Sequence, residues 1–134
     1  MADVNLIDDS DEVIDEMNER AAIALREVGR EAEGIAKELI TQANAIDTGR
    51  LRNSITFATS DRYGVHNYTD NQHHSFSQKV NQAPKKTVYI GTNVEYAPFI
   101  EYGHHSYAGV HFLKNAAGNY MERYKKIIET IMRR

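Results

Sequence analysis

One short motif in this chain matches a known catalytic pattern, the triplet Asp47-Thr48-Gly49. Aspartic proteases use this triplet twice, once from each half of the enzyme, so that two carboxylates share one proton. A homodimer of 134-residue chains would supply both copies. However, Arg50 and Arg52 follow the triplet, and a neighbouring arginine keeps carboxylates ionised, which opposes a shared proton. A local turn is therefore the simpler interpretation, and a homodimeric aspartic protease that uses Asp47 is the alternative.

The histidines are the second candidates for chemistry, because imidazole is a common metal ligand. Neighbouring histidines point apart on a regular backbone, and none of these pairs has the i,i+4 spacing of a helical metal site. We interpret them as polar loop residues, and a metal site formed by His104, His105 and His111 stays open as an alternative. The sequence also has no phosphate-binding loop and no serine elbow, so we expect no catalytic residue, metal or cofactor. The six are His66, His73, His74, His104, His105 and His111.

Length and composition limit the class of protein. The 134 residues suit a single domain spanning 1–134, with residues 1–8 expected to be disordered. The chain has no cysteine, which excludes disulfide scaffolds, thiolate zinc sites and cysteine nucleophiles. The sequence contains no apolar run of the roughly 20 residues that a membrane-spanning helix needs, so we expect no membrane association.

Charge is distributed unevenly along the chain. Residues 1–47 contain 13 acidic and 4 basic residues, a net charge of −9, and residues 48–134 contain 6 and 12, a net charge of +6. The simpler interpretation is a solvated acidic helix beside a mildly basic body. The alternative is a head-to-tail ring, in which opposite ends of like subunits attract each other.

The hydrophobic pattern predicts an α+β fold. Apolar residues at steps of three and four predict one long amphipathic helix from Asp9 to Ala43, in which Gly29 and Gly34 mark a kink or a close crossing. A helix of this length is longer than so small a core covers, so part of its apolar stripe is expected to meet another subunit. A small antiparallel sheet of two to four strands, a short helix and a C-terminal helix packed on the sheet follow.

Residues 66–82 are unusually polar, since eleven of the seventeen are Asn, Gln, Ser or His. This composition predicts a long polar loop, and the alternative is a hairpin with strands near Tyr63–Asn67 and Lys79–Gln82. Further on, Asn93 is expected to cap a short helix from about Glu95 to Tyr102. The final helix is expected to begin near His111.

Three segments together resemble a siphophage tail-component family whose typical member is the gene 10 product of a lambdoid phage. They are Asp47 to Ile55 (DTGRLRNSI), Val88 to Gly103 (VYIGTNVEYAPFIEYG) and His111 to Ala116 (HFLKNA). Their order and spacing agree with the family from about Ser10 to Arg134. Each segment alone is weak, but the ordered set is fairly specific.

The resemblance implies a non-enzymatic structural protein of the virion. A tail-completion or neck subunit of this kind forms a homo-oligomeric ring around the DNA channel, joining the DNA-filled head to the tail. Its partners are copies of itself, head connector or adaptor proteins, and tail-terminator or tail-tube proteins, while DNA passes through without sequence-specific binding. The expected location is the neck of the virion, after assembly in the host cytoplasm. A tail-terminator ring is the alternative within this class. A small DNA-binding regulator is an alternative from a different class.

Roles of individual residues are also predicted from the residues themselves. Glu101 is expected to pair with Arg50 or Arg52, and Gly103 to end the short helix. Possible subunit-interface residues are Met17, Leu25, Tyr96, Phe99 and Tyr102. The signature residues with structural roles are Asp47, Thr48, Gly49, Arg50, Leu51, Ser54, Gly91, Thr92, Tyr96, Ala97, Glu101, Gly103, Phe112 and Leu113.

Overall fold

The computed structural model describes residues 7–43, 48–62, 64–70, 72–104 and 107–133, with the backbone alone described for 7–15, 48, 104 and 107. These residues form the mixed α+β fold that the sequence predicts. The elements in chain order are α1 (Ile7–Ala43), α2 (Thr48–Ser54), β1 (Thr56–Ala58), β2 (Gly64–Thr69), β3 (Ser75–Val80), β4 (Tyr89–Gly91), α3 (Ala97–Tyr102), β5 (Gly103–His104), β6 (Tyr107–Ala108), α4 (Phe112–Gly118) and α5 (Met121–Met132).

Helix α1 confirms the long amphipathic helix and begins at Ile7, two residues before the predicted start. Its 37 residues span about 55 Å at 1.5 Å per residue. One face enters the core, because its side chains recur every three or four residues. The core residues on this face include Ala24, Val28, Ala32, Ile35, Ala36 and Ile40.

The two glycines of α1 have different surroundings. A Cβ atom on Gly29 would collide with the ring of Phe57 on β1, so the glycine permits the close crossing that the sequence predicts. Gly34 is exposed, and a Cβ atom there would meet no atom within 4 Å. The helix thus contacts the sheet closely at one glycine, while the other has no packing role that the structure shows.

Strand pairing among the described residues is antiparallel and occurs in two-stranded sheets. Strands β1 and β4 form one two-stranded sheet, in which Phe57 is paired with Ile90. Strands β2 and β3 form a second sheet, and β5 and β6 form a third. The sheet of β1 and β4 packs under α1, and the hairpin of β2 and β3 lies beside α2. This arrangement brings the end of β4 next to the end of α2.

Residues 66–82 form a hairpin over most of their length, rather than the predicted long polar loop. Six residue pairs connect β2 with β3, and the strands extend further toward the tip than the alternative prediction placed them. The hairpin is held because Tyr68 and Gln78 point inward and are buried. Polar residues alternate with these two, so the strand pattern is present but weakly apolar.

The C-terminal region contains two helices, not the single helix that was predicted. Helix α4 ends at Gly118 and α5 begins at Met121, with Asn119 and Tyr120 between them. Glycine and asparagine are poor helix formers, which explains the break. Helix α5 runs antiparallel to α1, since Arg123 pairs with Glu31 at 3.0 Å near one end and Arg20 Nη1 lies 3.4 Å from the Met132 carbonyl oxygen at the other. None of the described helices is both long enough and apolar enough to cross a bilayer.

Candidate functional site

The first two signature segments meet at Arg50, which α2 presents toward the loop after β4. Its two terminal nitrogens each lie 2.8 Å from a carboxylate oxygen of Glu95, an arrangement that matches the planar fork of the guanidinium. The guanidinium also lies 4.2 Å from the ring centre of Phe76 and 5.8 Å from that of Tyr96. Arg50 therefore connects α2, the hairpin and the segment before α3.

The electrostatics of this pair follow from its geometry. The hydrogen bonds from Arg50 lower the pKa of the Glu95 carboxyl, and the same bonds raise the pKa of Arg50. The Arg50 side chain is only 17% exposed, whereas that of Glu95 is 70% exposed. The pair is thus anchored on the arginine side and open to water on the glutamate side.

A small polar cluster lies beneath this pair. The hydroxyl of Ser54 at the end of α2 contacts that of Thr92, and Thr92 Oγ1 accepts a hydrogen bond of 3.1 Å from the backbone N–H of Val94. The buried amide of Gln78 donates to the carbonyl oxygen of Ser54 and, at 3.1 Å, to that of Gly91. These bonds tie the ends of α2, β3 and β4 together.

Asn93 has a different role from the predicted helix cap. Its side-chain oxygen accepts a hydrogen bond of 2.7 Å from the Tyr68 hydroxyl, and its amide donates to the Ser77 carbonyl oxygen at 2.9 Å. Helix α3 begins at Ala97, later than predicted, and Tyr96 at its N-cap makes no side-chain capping bond. The capping prediction is therefore wrong, because the hairpin competes for the Asn93 side chain.

Glu101 joins the second and third signature segments. Its carboxylate accepts hydrogen bonds from the backbone N–H groups of Leu113 at 2.9 Å and Lys114 at 3.0 Å, in the first turn of α4. The predicted pairing of Glu101 with Arg50 or Arg52 is wrong, because Arg50 binds Glu95 and Glu101 faces α4. His111, the residue at the N-cap of α4, makes no side-chain capping bond, so Glu101 satisfies donors that would otherwise lack partners.

The turn between these segments depends on glycine. Gly103 follows α3 with a φ of 91°, a region that favours glycine, in line with its predicted role of ending the helix. A Cβ atom on Gly109 would collide with the backbone at Glu101 and Tyr102. Close backbone approach at this turn brings Glu101 next to α4.

The remaining signature residues lie in or around the same junction. Leu51, Ala97 and Phe112 are buried in the core, and Leu113 and Tyr96 are partly buried against it. Gly49 and Gly91 are partly exposed. Asp47 and the side chain of Thr48 lie outside the described residues.

The possible interface residues are placed differently from one another. The exposed fractions are 52% for Met17, 51% for Phe99 and 75% for Tyr102. Leu25 and Tyr96 are half-buried. Tyr102 also lines an open pocket of about 310 Å³ next to Glu95. Their role in subunit contacts stays a prediction.

Metal-ligating side chains are not clustered in the part of the chain that the structure describes. No set of three His, Asp or Glu side chains in that part of the chain is arranged to hold a metal ion. The open alternative of a site formed by His104, His105 and His111 falls largely outside the described side chains. Arg50, which directly follows the Asp47-Thr48-Gly49 triplet, forms an ion pair with Glu95.

Sequence reasoning assigned no role to Glu95 and the wrong partner to Glu101. Glu95 carries no local signal, since its partner is 45 residues away in the chain. The role of Glu101 had an indirect signal, because α4 begins without a Ser, Thr, Asp or Asn at its N-cap. A helix start that lacks a local cap requires acceptors from elsewhere.

Comparison with known families gives a match. The family model of HK97-gp10-like bacteriophage tail components matches residues 5–103, about three quarters of the chain. The matched range contains the first two signature segments and ends at Gly103, before the third. Comparisons with curated proteins and with solved structures gave no match.

Proposed function

The chain belongs to the HK97-gp10-like family of bacteriophage tail components, which are structural proteins of the virion. From this, we propose that the chain completes the tail at the neck. In this proposal several copies form a ring around the DNA channel and join the filled head to the tail. The ring contacts connector or adaptor proteins on the head side and tail-terminator or tail-tube proteins on the other. The role is structural and involves no catalysis.

The observation that carries this proposal is that signature residues make contacts inside the fold. Arg50 pairs with Glu95, Thr92 contacts Ser54, and Glu101 caps α4, so these three signature side chains hold elements of the fold together. Signature residues that serve internal contacts suit a rigid building block.

The outer surface supports assembly with further chains. Large apolar side chains are at least 50% exposed at Met17, Phe99, Tyr102 and Met121. Scattered exposed apolar residues are normal, but these lie on three helices, α1, α3 and α5, that could contact neighbouring chains. A ring subunit needs contact surfaces on two sides.

The hairpin of β2 and β3 suits a wall along which DNA passes. Residues 64–80 contain one acidic and one basic residue, so this segment has no net charge. A strongly basic wall would hold phosphates by counterion release and slow the passage of DNA. We place the hairpin toward the channel or toward a docking protein, and replacement of the tip residues 70–74 by a two-residue turn tests this placement. Normal yields of infectious particles from that variant would contradict it.

The decisive experiment places an early stop codon in this gene of the parent phage, with and without the wild-type gene supplied in trans. Electron microscopy of the lysates is expected to show filled heads and complete tails that are not joined. The wild-type gene is expected to restore joined virions. Overlong tails on heads would instead indicate a tail terminator. Normal infectious particles without the gene would contradict both roles.

A further inference from the structure

Helix α1 extends past the helix that packs beside it. Arg20 lies level with the end of α5, since its guanidinium reaches the Met132 carbonyl oxygen at 3.4 Å. The helix continues for 13 more residues toward Ile7, about 20 Å at 1.5 Å per residue. We call residues 7–19 the arm. The side chains described in it, those of residues 16–19, are all exposed.

The arm has a distinctive sequence. It contains seven acidic residues and no basic one. Its apolar residues Val13, Ile14 and Met17 recur at steps of three and four, a spacing typical of a helix that buries one face. Met17 is 52% exposed in the single chain, so this apolar residue of the arm has little cover.

A groove with complementary properties lies on the body of the same molecule. It has a volume of about 240 Å³ and runs between α1, β4 and α5. We call it the lateral groove, and its lining includes Leu25, Val88, Ile90, Met121, Ile128 and Lys86. Small-molecule pockets are larger, about 300–1,000 Å³, so the groove fits a few apolar side chains of a protein better than a ligand.

The charge at the lateral groove points to an acidic occupant. Lys86 is the only charged residue that lines it among the described residues, and it forms no ion pair with any of them. Lys86 also has a φ of 62°, a conformation that glycine adopts more easily. A lysine in a left-handed conformation beside an apolar groove points to a use for its charge.

We propose that the arm of one subunit docks into the lateral groove of a second copy of this chain. The apolar residues of the arm would cover the groove, and its acidic residues would face Lys86. This inference rests on the proposed function, because it names the contact that would close the ring. The arm is at one end of α1 and the groove is on its middle part, so the contact is head-to-tail.

The absence of cysteine makes a direct test possible. In the parent phage, the gene is replaced by one that encodes both Met17→Cys and Met121→Cys, and purified particles are treated with a bismaleimide. Arg123 pairs with Glu31, so Met121 lies beside α1 near residue 31, about 20 Å along the helix from Met17. A reagent shorter than this distance links the two positions only between different subunits.

The expected product is a ladder of linked copies on a denaturing gel. The matched control carries Met17→Cys and Val65→Cys, because Val65 is 63% exposed on the hairpin, outside the groove. Adding Lys86→Glu to the first variant is expected to lower the linked yield about two- to fivefold, the effect of losing an exposed ion pair. An unchanged yield would contradict the part played by Lys86.

The remaining outcomes separate this inference from the proposed function. Links to a different protein, or equal linking in the Val65 control, would overturn docking between copies. A product that stops at two copies would support docking but contradict a ring. If the particles lack this chain, the proposed function fails, whereas unlinked chains present in the particles overturn the docking alone.

Discussion

The buried carboxylate of Glu101 accepts a hydrogen bond of 2.9 Å from the backbone N–H of Leu113, 12 residues further along the chain. A second bond of 3.0 Å comes from Lys114. The first turn of any helix has N–H groups without partners inside the helix, and a carboxylate near that end also interacts favourably with the helix dipole. Glu101 therefore fixes the position of α4 against α3.

Removal of this carboxylate is expected to destabilise the fold. Glu101→Ala leaves two partly buried N–H groups without acceptors, which costs about 1–3 kcal/mol. Glu101→Gln keeps one oxygen as an acceptor and is expected to lose less. Urea unfolding followed by circular dichroism measures both variants. The exposed Glu122 serves as the control, and an effect of Glu122→Ala as large as that of Glu101→Ala would contradict the capping role.

The two glycines of α1 provide a matched pair of substitutions. Gly29→Ala forces a methyl group against the ring of Phe57, and overpacking of this kind costs about 1–3 kcal/mol. Gly34→Ala meets no atom within 4 Å and is expected to stabilise the protein by about 0.5–1 kcal/mol, the helix preference for alanine. Thermal unfolding of both variants is sufficient. A similar shift in both would show that the Phe57 contact does not matter.

The sequence predicts α1 well because a 3.6-residue repeat over many turns is a strong local signal. The hairpin is harder to predict, since the side chains that point inward from its strands, such as Tyr68, Phe76 and Gln78, stand among polar neighbours. Gln78 is buried because it bonds two carbonyl oxygens that are distant in sequence. Burial of a polar side chain depends on the tertiary partner, which local patterns do not reveal.

The signature segments were visible in the sequence, but their contacts were not. The Gly103 turn follows from local chemistry, because a residue with positive φ after a helix favours glycine. The partner of Arg50 was assigned to Glu101 instead of Glu95, although both are acidic and follow β4. Choosing between them needs the direction of each side chain relative to α2, and the structure supplies this.

The Arg50–Glu95 pair is expected to show a coupling that depends on pH. The hydrogen bonds from Arg50 lower the pKa of Glu95 in the folded chain. The stabilisation from this ionised group is therefore complete above its unfolded pKa, about 4.3, and is lost as the pH falls through the lower folded value. A double-mutant cycle with Arg50→Met and Glu95→Gln, measured by urea unfolding, isolates the pair.

The coupling is expected to be favourable at about pH 6 and to shrink as the pH falls through the lowered folded pKa of Glu95, because protonation then removes its charge. The Arg50→Met change also removes the contact with the Phe76 ring, but this loss occurs whether Glu95 or Gln is at position 95 and so cancels in the coupling energy. Added salt is expected to weaken the coupling as well, because Glu95 is largely exposed. A coupling that does not change with pH would mean that the contact lacks ionic character.

Gln78 is expected to hold the hairpin to the rest of the molecule. Gln78→Leu removes the bonds to the carbonyl oxygens of Ser54 and Gly91, and a lost bond to a buried group costs about 1–3 kcal/mol. The effect is expected to be largest near the hairpin, because the bonds link β3 to α2 and β4. Hydrogen exchange measured by mass spectrometry is expected to speed up, relative to the wild type, more in β2 and β3 than in α1 and α5.

The matched control for this variant is Gln42→Leu, at an exposed position of α1 whose side chain bonds only its helical neighbour Glu38. That change is expected to leave exchange in the hairpin unaltered. If Gln78→Leu instead raises exchange equally in every element, the hairpin unfolds together with the core. The polar cluster would then stabilise the whole molecule, since hairpin and core would form one cooperative unit.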